Sequence, residues 1–431
     1  MFNPGDYNEF TYVGSSYDEQ TGEASFMYQI QGTTQITFVE RITFQTSSTK
    51  PSENFNNLLN LLGMVLGLSY YKTAATPIFR ITPKITPEIE EYVTQLIKQG
   101  LAEFAYRNNL PNLLTPTIIA PTQPSTKTIA PVEGISLVAV GGGSDSIVTS
   151  ELLKQSGHEF KQIAINPNPH QRNTNSITGV DFVVIQRKLD KKLFELNKTG
   201  ALNGHVPVTA MNSLIMVCQS ELIQSGHVIL SNEHSANEAT LNWNNQPVNH
   251  QWSKSSEAEQ LLNAAIQSIT GYVNKTFSFL RPFTEIRITK AYAELCEKYD
   301  TVITSCNQAY IMNNPAERWC GECDKCRFKA LMFARFLNQK RMNTIFNNNP
   351  LNNPSLYEKF LPLFSDEKPF ECVGEVDESI EALKGLPEQL PIKQYLVTQI
   401  GDLMNRNTEQ TWGTNPSTIP NQFKDAYVGR I

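Results

Sequence analysis

The run Val138-Ala139-Val140-Gly141-Gly142-Gly143-Ser144-Asp145-Ser146 constrains the fold of this chain more than any other segment. It reads as a buried strand, a glycine turn and the opening of a helix. Consecutive glycines let a backbone approach a ligand closely and take positive φ without a Cβ penalty. The helix behind them carries unpaired N–H groups and the positive end of its dipole. Ser144, Asp145 and Ser146 stand where capping oxygens are wanted. The pattern is a phosphate cradle, the bland reading being a glycine turn without a ligand. A Walker A loop is excluded because no lysine follows the glycines. The dinucleotide fingerprint is excluded because its later glycine and acidic residue are wrongly spaced.

The 431 residues suffice for two or three domains with a sizeable core. A formal net charge of -6 and the lack of basic runs argue against a nucleic-acid partner. Seven cysteines, an odd number concentrated in one segment, do not resemble a secreted disulfide framework. Residues 1–6 lack the basic start and apolar core of a signal peptide, and no apolar run approaches the ~20 residues of a membrane span. A cytoplasmic, reducing location without membrane insertion is expected, and the oligomeric state is left open.

Phe26, Tyr28 and Ile30 alternate, as do Ile36, Phe38, Ile42 and Phe44 around Glu40, predicting an antiparallel sheet. Leu58, Leu59, Leu62, Val65 and Leu66 then recur at helical spacing. Residues 1–110 are therefore expected to form a β-rich N-terminal domain with a helix. Pro111, Pro116, Pro121, Pro124 and Pro131 mark 111–132 as a Pro/Thr-rich linker. Residues 133–340 alternate strand-like runs (162–165, 181–185, 227–230, 301–304) with helical ones (207–224, 286–299). That is the pattern of an open parallel α/β sheet. Residues 341–431, beyond an Asn-rich loop at 347–353, read as a helical C-terminal extension. Ligands of open α/β sheets sit at the carboxyl ends of strands, near the topological switch point. Ser231-Asn232-Glu233 and Ser305-Cys306-Asn307 are expected at that edge together with the glycine turn.

Cys320, Cys323 and Cys326 recur at three-residue intervals, with Cys306 upstream. Four such thiolates suit a closed tetrahedral zinc site. An iron–sulfur cluster, a redox dithiol and unrelated free thiols are the other readings. Cys218, Cys296 and Cys372 look unconnected to this group.

The glycine turn resembles the SGG-x-DS pyrophosphate loop of the PP-loop ATP-pyrophosphatases, with Gly141 at the serine position. Joined to the cysteine spacing, it is similar to the 7-cyano-7-deazaguanine synthases, whose four cysteines hold structural zinc. The segments between point elsewhere. Leu68-Ser69-Tyr70-Tyr71-Lys72, Pro207-Val208-Thr209-Ala210-Met211-Asn212-Ser213, Ser231-Asn232-Glu233 and Val248-Asn249-His250-Gln251-Trp252-Ser253-Lys254-Ser255 come first in order. Leu280-Arg281-Pro282, Thr304-Ser305-Cys306-Asn307, Trp319-Cys320 and Lys368-Pro369-Phe370-Glu371-Cys372-Val373-Gly374-Glu375 follow. Together they resemble the ATP-dependent UDP-N-acetyl-α-D-muramoyl-L-alanyl-L-glutamate epimerases of peptidoglycan synthesis, over about residues 60 to 375. One departure is Ser144, where that family's loop carries lysine.

The resemblance implies an α/β fold with an open parallel sheet of the PP-loop type. It implies ATP, Mg²⁺ and structural Zn²⁺ as partners and a sugar-nucleotide dipeptide as the small-molecule substrate. The terminal glutamate would be activated as an acyl-adenylate, its α-carbon inverted by an acid/base pair, and the acid released by water. Gly141, Gly142, Gly143, Ser144, Asp145 and Ser146 are expected to bind ATP. Glu233, as Mg²⁺ ligand or base, His250, whose imidazole titrates near neutrality, and Lys254, facing phosphate or carboxylate, are the expected catalytic groups. Tyr71, Lys72, Asn249 and Arg281 are expected to touch substrate, and Cys306, Cys320, Cys323 and Cys326 to hold metal. The competing functions are an ATP-dependent ligase, in which an amine captures the adenylate, and a non-catalytic nucleotide-binding protein.

Overall fold

The alternation around Phe26 becomes a strand whose apolar side chains are fully buried on one face. The computed structural model describes residues 1–46, 50–311, 317–365 and 369–431. Its strands are β1 (Tyr7–Asp18), β2 (Glu23–Gly32), β3 (Gln35–Thr43), β4 (Ile78–Ile81), β5 (Thr117–Ile119) and β6 (Ser136–Ala139). Then come β7 (Phe160–Ile165), β8 (Phe182–Lys188), β9 (Val228–Leu230), β10 (Leu241–Trp243), β11 (Gln246–Val248) and β12 (Thr276–Ser278). Among the described residues, ten of these form one sheet in the order β12-β9-β6-β7-β8-β3-β2-β1-β4-β5, and β10 and β11 form a separate hairpin. The fold is a mixed α/β arrangement on a mostly parallel sheet. No helix among the described residues is long and apolar enough to cross a membrane.

β1, β2 and β3 make the expected antiparallel meander. β4 and β5 then add to β1 in parallel, an extension the alternation did not disclose. β5 lies inside the stretch read as a linker. A proline-bordered strand is tolerated there because it is the edge of the sheet. The predicted strand at 301–304 does not form. That segment is a turn and extended chain, and its Thr304 amide donates to the Gly142 carbonyl at 3.1 Å. The predicted helix at 286–299 stops as Glu285–Leu295 and continues as one 3₁₀ turn, Glu297–Tyr299. The C-terminal segment is helical, with Val376–Lys384 and Pro391–Ile400 flanked on either side by short 3₁₀ turns, and packs on the helix Asp324–Ala334.

The sheet and one hydrophobic core run across residue 133. β3 pairs antiparallel with β8 over Arg41↔Lys188, Ile42↔Arg187 and Thr43↔Gln186. The helix Val208–Leu222 packs on the N-terminal helix Glu53–Leu66, and residues of both belong to one core. Glu40, polar in an otherwise apolar alternation, is fully buried at this seam, and Arg187 Nε donates to its carboxylate at 2.6 Å. Val39 N–H donates to Asp190 at 2.8 Å beside it.

Removing one member of a buried ion pair strands the other charge, at a cost of about 3–5 kcal/mol. Arg187→Met is therefore expected to lower unfolding free energy by about that amount in denaturant titration. A loss below about 1 kcal/mol would mean that the seam does not depend on this pair.

Candidate active site

β6 lies between β7 and β9, so the chain leaves its carboxyl end at the point where strand order reverses. There Gly142 takes φ +86°, and a Cβ on Gly143 would meet Ser305 Oγ at 2.5 Å. Both positions therefore favour glycine. Ser146 shapes the turn: its Oγ accepts from the Gly141 and Gly142 amides at 3.3 and 3.2 Å and donates to the Gly143 carbonyl at 3.2 Å. The helix Ser144–Gln155 has Gly143 as its N-cap, with no side-chain cap. The capping expected of Ser144, Asp145 and Ser146 is not made, which leaves the first-turn amides to another acceptor.

The turn borders a cavity of ≈ 290 Å³. Gly141, Gly143, Asp145 and Ser146 line it, with Ser231 and Asn232 after β9, and Thr304, Ser305 and Asn307 from the segment that packs on the turn. Lys254, Lys325, Tyr310 and Cys372 complete it. Ser231 Oγ is enclosed and has no hydrogen-bond partner among the described residues. An enclosed hydroxyl, uncapped amides and two ammonium groups fit an anionic ligand.

Ser144 stands where lysine was the pattern, and a lysine arrives from another element. Lys329, its side chain wholly buried, donates to Ser144 Oγ at 2.7 Å, and Ser144 Oγ donates to Asp145 Oδ1 at 2.7 Å. The ammonium also lies 3.5 Å from Asp145 and pairs with Glu285. Burial works against the Lys329 charge, but Asp145 and Glu285 hold its pKa above the ordinary value. Burial likewise works against the Asp145 carboxylate, and Lys329 and Lys325 more than compensate, lowering its pKa. Lys329 follows Cys326 by one helical turn, a spacing visible in the sequence but masked by the cysteines.

A second constellation meets the same cavity. Lys254 Nζ lies 3.0 Å from Cys372 Sγ. His250 also hydrogen-bonds Cys372, and its Nδ1 lies 2.5 Å from Glu103 Oε2. Burial alone would raise the Cys372 thiol; the Lys254 ammonium, the His250 bond and charge, and Lys325 bring it down to about 6. Burial disfavours the His250 imidazolium, yet the bonds to Cys372 and Glu103 lift it to about 9. His205, whose ring centroid is 4.8 Å from that of His250, is pushed to about 4 by burial and by the His250 charge. At neutral pH the cluster is thus thiolate, imidazolium, neutral imidazole and carboxylate. Cys372, read as unconnected, belongs to this site, and it arrives through neighbours that dock its segment. Phe370 lies against Tyr106 and Arg107 of the helix carrying Glu103, and the Lys325 amide donates to Glu371 at 2.7 Å. Lys368, at the head of that motif, lies outside the described residues.

The other expected residues divide. Glu233 is buried, and its charge acts on Lys254 and Lys329. Lys72 is buried with its ammonium on Asn203 and Gly204 at 2.8 and 2.9 Å, which fixes the turn before His205, and burial lowers it to about 8. Asn249 holds the His250 turn, donating to the Ala236 carbonyl at 3.0 Å and accepting from the Gln251 amide at 2.7 Å. Arg281 is buried, and its terminal nitrogens donate to the Glu233 and Lys254 carbonyls, Ser278 and Glu259, while its Nε has no partner among the described residues. Tyr71 is fully buried, its hydroxyl on the Thr76 carbonyl and its ring against Phe10 and Phe79. Arg281 and Tyr71 therefore line no part of the cavity: an arginine and a tyrosine in a motif gave no sign of which way they face. Glu103 and His205 carried no sequence signal at all.

Cys306, Cys320, Cys323 and Cys326 bring their sulfurs within 4.8 Å of one another. Cys306–Cys323 is 4.0 Å and Cys320–Cys326 3.7 Å. Four thiolates at 2.3 Å from a tetrahedral zinc stand about 3.8 Å apart, so the donor set fits. Backbone amides of Cys320 and Cys323 donate to these sulfurs at 3.4 and 3.3 Å, as thiolate acceptors invite.

Family models for the MurL N-terminal domain and the MurL C-terminal domain match residues 1–279 and 302–415. A UDP-N-acetyl-alpha-D-muramoyl-L-alanyl-L-glutamate epimerase of Salinispora tropica is 38% identical over 97% of this chain and 95% of its own. Proteins of the same name from Micromonospora sp. and Xanthomonas oryzae pv. oryzae are 40% and 35% identical. They cover 88% and 92% of this chain, and 87% and 90% of their own.

The thiolate assignment has a direct check. Iodoacetamide labelling of Cys372, followed by peptide mass mapping, is expected to reach half its maximal rate near pH 6. Lys254→Met removes a stabilising cation and is expected to move that midpoint up toward the ordinary thiol value of about 8.5. A midpoint near that ordinary value in the unaltered protein would contradict the assignment.

Proposed function

The chain belongs to the UDP-N-acetyl-α-D-muramoyl-L-alanyl-L-glutamate epimerase family, and from that premise we propose the reaction it performs. It inverts the terminal L-Glu of UDP-N-acetylmuramoyl-L-Ala-L-Glu to D-Glu, using ATP to form an acyl-adenylate and releasing AMP and pyrophosphate. The observation that carries the ATP step is the uncapped glycine turn at the sheet's switch point, facing a cavity with Lys254 and Lys325 in its wall.

An ionised carboxylate makes its own α-proton very hard to remove, because a second negative charge would form beside the first. Joining that carboxylate to AMP removes its charge and makes the carbonyl electron-withdrawing. The free first-turn amides and Ser231 suit the phosphates, and Lys254 and Lys325 balance charge that grows as pyrophosphate departs. Asp145 and Glu233 are the carboxylates beside the turn that would face Mg²⁺, which when bound neutralises phosphate charge. His250, held as an imidazolium by Glu103, has a proton to give to the α-carbon. Lys72 and Asn249 support the His205 and His250 turns. Cys306, Cys320, Cys323 and Cys326 would hold Zn²⁺, which when bound fixes the start of the helix carrying Lys325 and Lys329.

Incubation with ATP, Mg²⁺ and the L-Glu substrate in D₂O is expected to yield AMP, pyrophosphate and product deuterated at the glutamyl α-carbon. ADP and phosphate as products, or α-deuteration without ATP, would overturn the adenylate route. A product carrying added ammonia or amine would favour a ligase. Elemental analysis is expected to give about one zinc per chain. Cys323→Ser is expected to lose it and Cys372→Ser to keep it; the opposite pattern would reject this ligand set.

A further inference from the structure

Lys254 and Cys372 both line the cavity, with Lys254 Nζ 3.0 Å from the Cys372 sulfur. His250, outside that lining, hydrogen-bonds the same sulfur, so two groups able to carry protons flank it. Glu103 grips the same histidine at 2.5 Å, so cysteine, histidine and carboxylate form the relay that activates a nucleophile elsewhere in acyl transfer. The sulfur and the glycine turn border one cavity. An acyl group carried on a nucleotide phosphate in that turn would therefore be presented toward the sulfur.

We propose that Cys372 is a covalent nucleophile, which takes the glutamyl group from the adenylate as a thioester and holds it between Lys254 and His250 while the α-carbon is inverted. The proposal rests on the adenylate route above. In the first step the Cys372 thiolate attacks the acyl carbonyl; the S–C bond forms, the acyl C–O bond to phosphate breaks, and AMP leaves with that electron pair. A thioester carbonyl conjugates weakly with its sulfur, so the α-proton stays acidic after AMP has gone. One of the two flanking groups, in its neutral form, accepts the α-proton, and the other donates a proton to give the inverted centre. Water then adds to the thioester and the C–S bond breaks, restoring the thiolate and the D-glutamyl carboxylate. Of the two protons released, one returns to the flanking group left neutral and the other passes to solvent.

The electrostatics of the site favour this order. The Cys372 charge is a principal reason that Lys254 and His250 keep their protons against burial. Acylation removes that charge. Burial then acts on both groups unopposed by the sulfur, and one of them gives its proton to the departing AMP phosphate or to solvent and becomes the base that the next step requires. Until the substrate is attached, Lys254 and His250 both keep their protons.

The experiment pairs Cys372→Ser with the unaltered enzyme, ATP, Mg²⁺ and the L-Glu substrate. Cys372→Ser is expected to retain exchange of labelled pyrophosphate into ATP, which also reports an intact fold. It is expected to lose α-deuteration in D₂O by about a hundredfold or more. Acid-quenched unaltered enzyme is expected to carry the substrate mass less one water on the Cys372 peptide, released by neutral hydroxylamine. Three results would overturn the proposal: α-deuteration surviving in Cys372→Ser, loss of both half-reactions in that variant, or lost deuteration with no adduct on the unaltered enzyme. The last would make Cys372 a proton carrier. Absence of pyrophosphate exchange in the unaltered enzyme would instead remove the adenylate premise itself.

Discussion

Lys329 carries its ammonium into a place without water, and three elements meet around it. The helix behind the glycine turn offers Ser144 and Asp145, the helix Glu285–Leu295 offers Glu285, and the lysine's own helix begins among the metal-type cysteines. An ammonium is buried only where carboxylates repay its lost hydration, and the penalty for leaving it unpaired is several kcal/mol. The glycine turn and the cysteine site are therefore fixed relative to one another by one charge network. A lysine from 185 residues downstream in the chain thus stands beside Ser144.

From that anchor the reactive groups are assembled out of distant segments. Glu103 comes from the N-terminal half, His250 from the turn after the β10–β11 hairpin, and Cys372 from a segment pinned at Phe370 and Glu371. Arg281 locks the Glu233 and Lys254 turns by their carbonyls. Because Glu103 must reach His250 across the chain's two halves, the shared sheet matters to chemistry and not only to stability. The buried Glu40–Arg187 pair at the β3–β8 seam is part of what keeps that distance fixed.

Local signals were legible and long-range ones were not. Strand, glycine turn and helix onset could be read because each is dictated by neighbours in sequence. The cysteine spacing could be read because Cys-x-x-Cys turns deliver pairs of thiolates at a separation that suits one metal ion. The predicted strand at 301–304 failed because its apolar residues pack without pairing, and the chain there is held by the turn carbonyl instead. The sheet's continuity across residue 133 left only one trace, a glutamate inside an apolar alternation. Cys372 was visible as part of a motif but not as reactive, since a thiol's acidity is set by charges that arrive from elsewhere in the chain. The surroundings of Tyr71 and Arg281 were hidden for the complementary reason: a polar tip says nothing about which neighbours will satisfy it.

The proposed chemistry requires one cavity to hold the nucleotide at the glycine turn and the glutamyl group at Cys372. A crystal structure with a non-hydrolysable acyl-sulfamoyl adenosine analogue of the substrate measures it most directly. The account predicts the sulfamoyl group on the first-turn amides of the helix Ser144–Gln155 and the acyl carbon within about 3.5 Å of Cys372 Sγ, a near-attack separation. An analogue bound with its acyl carbon beyond reach of that sulfur, or with its sulfamoyl group away from the turn, would contradict it.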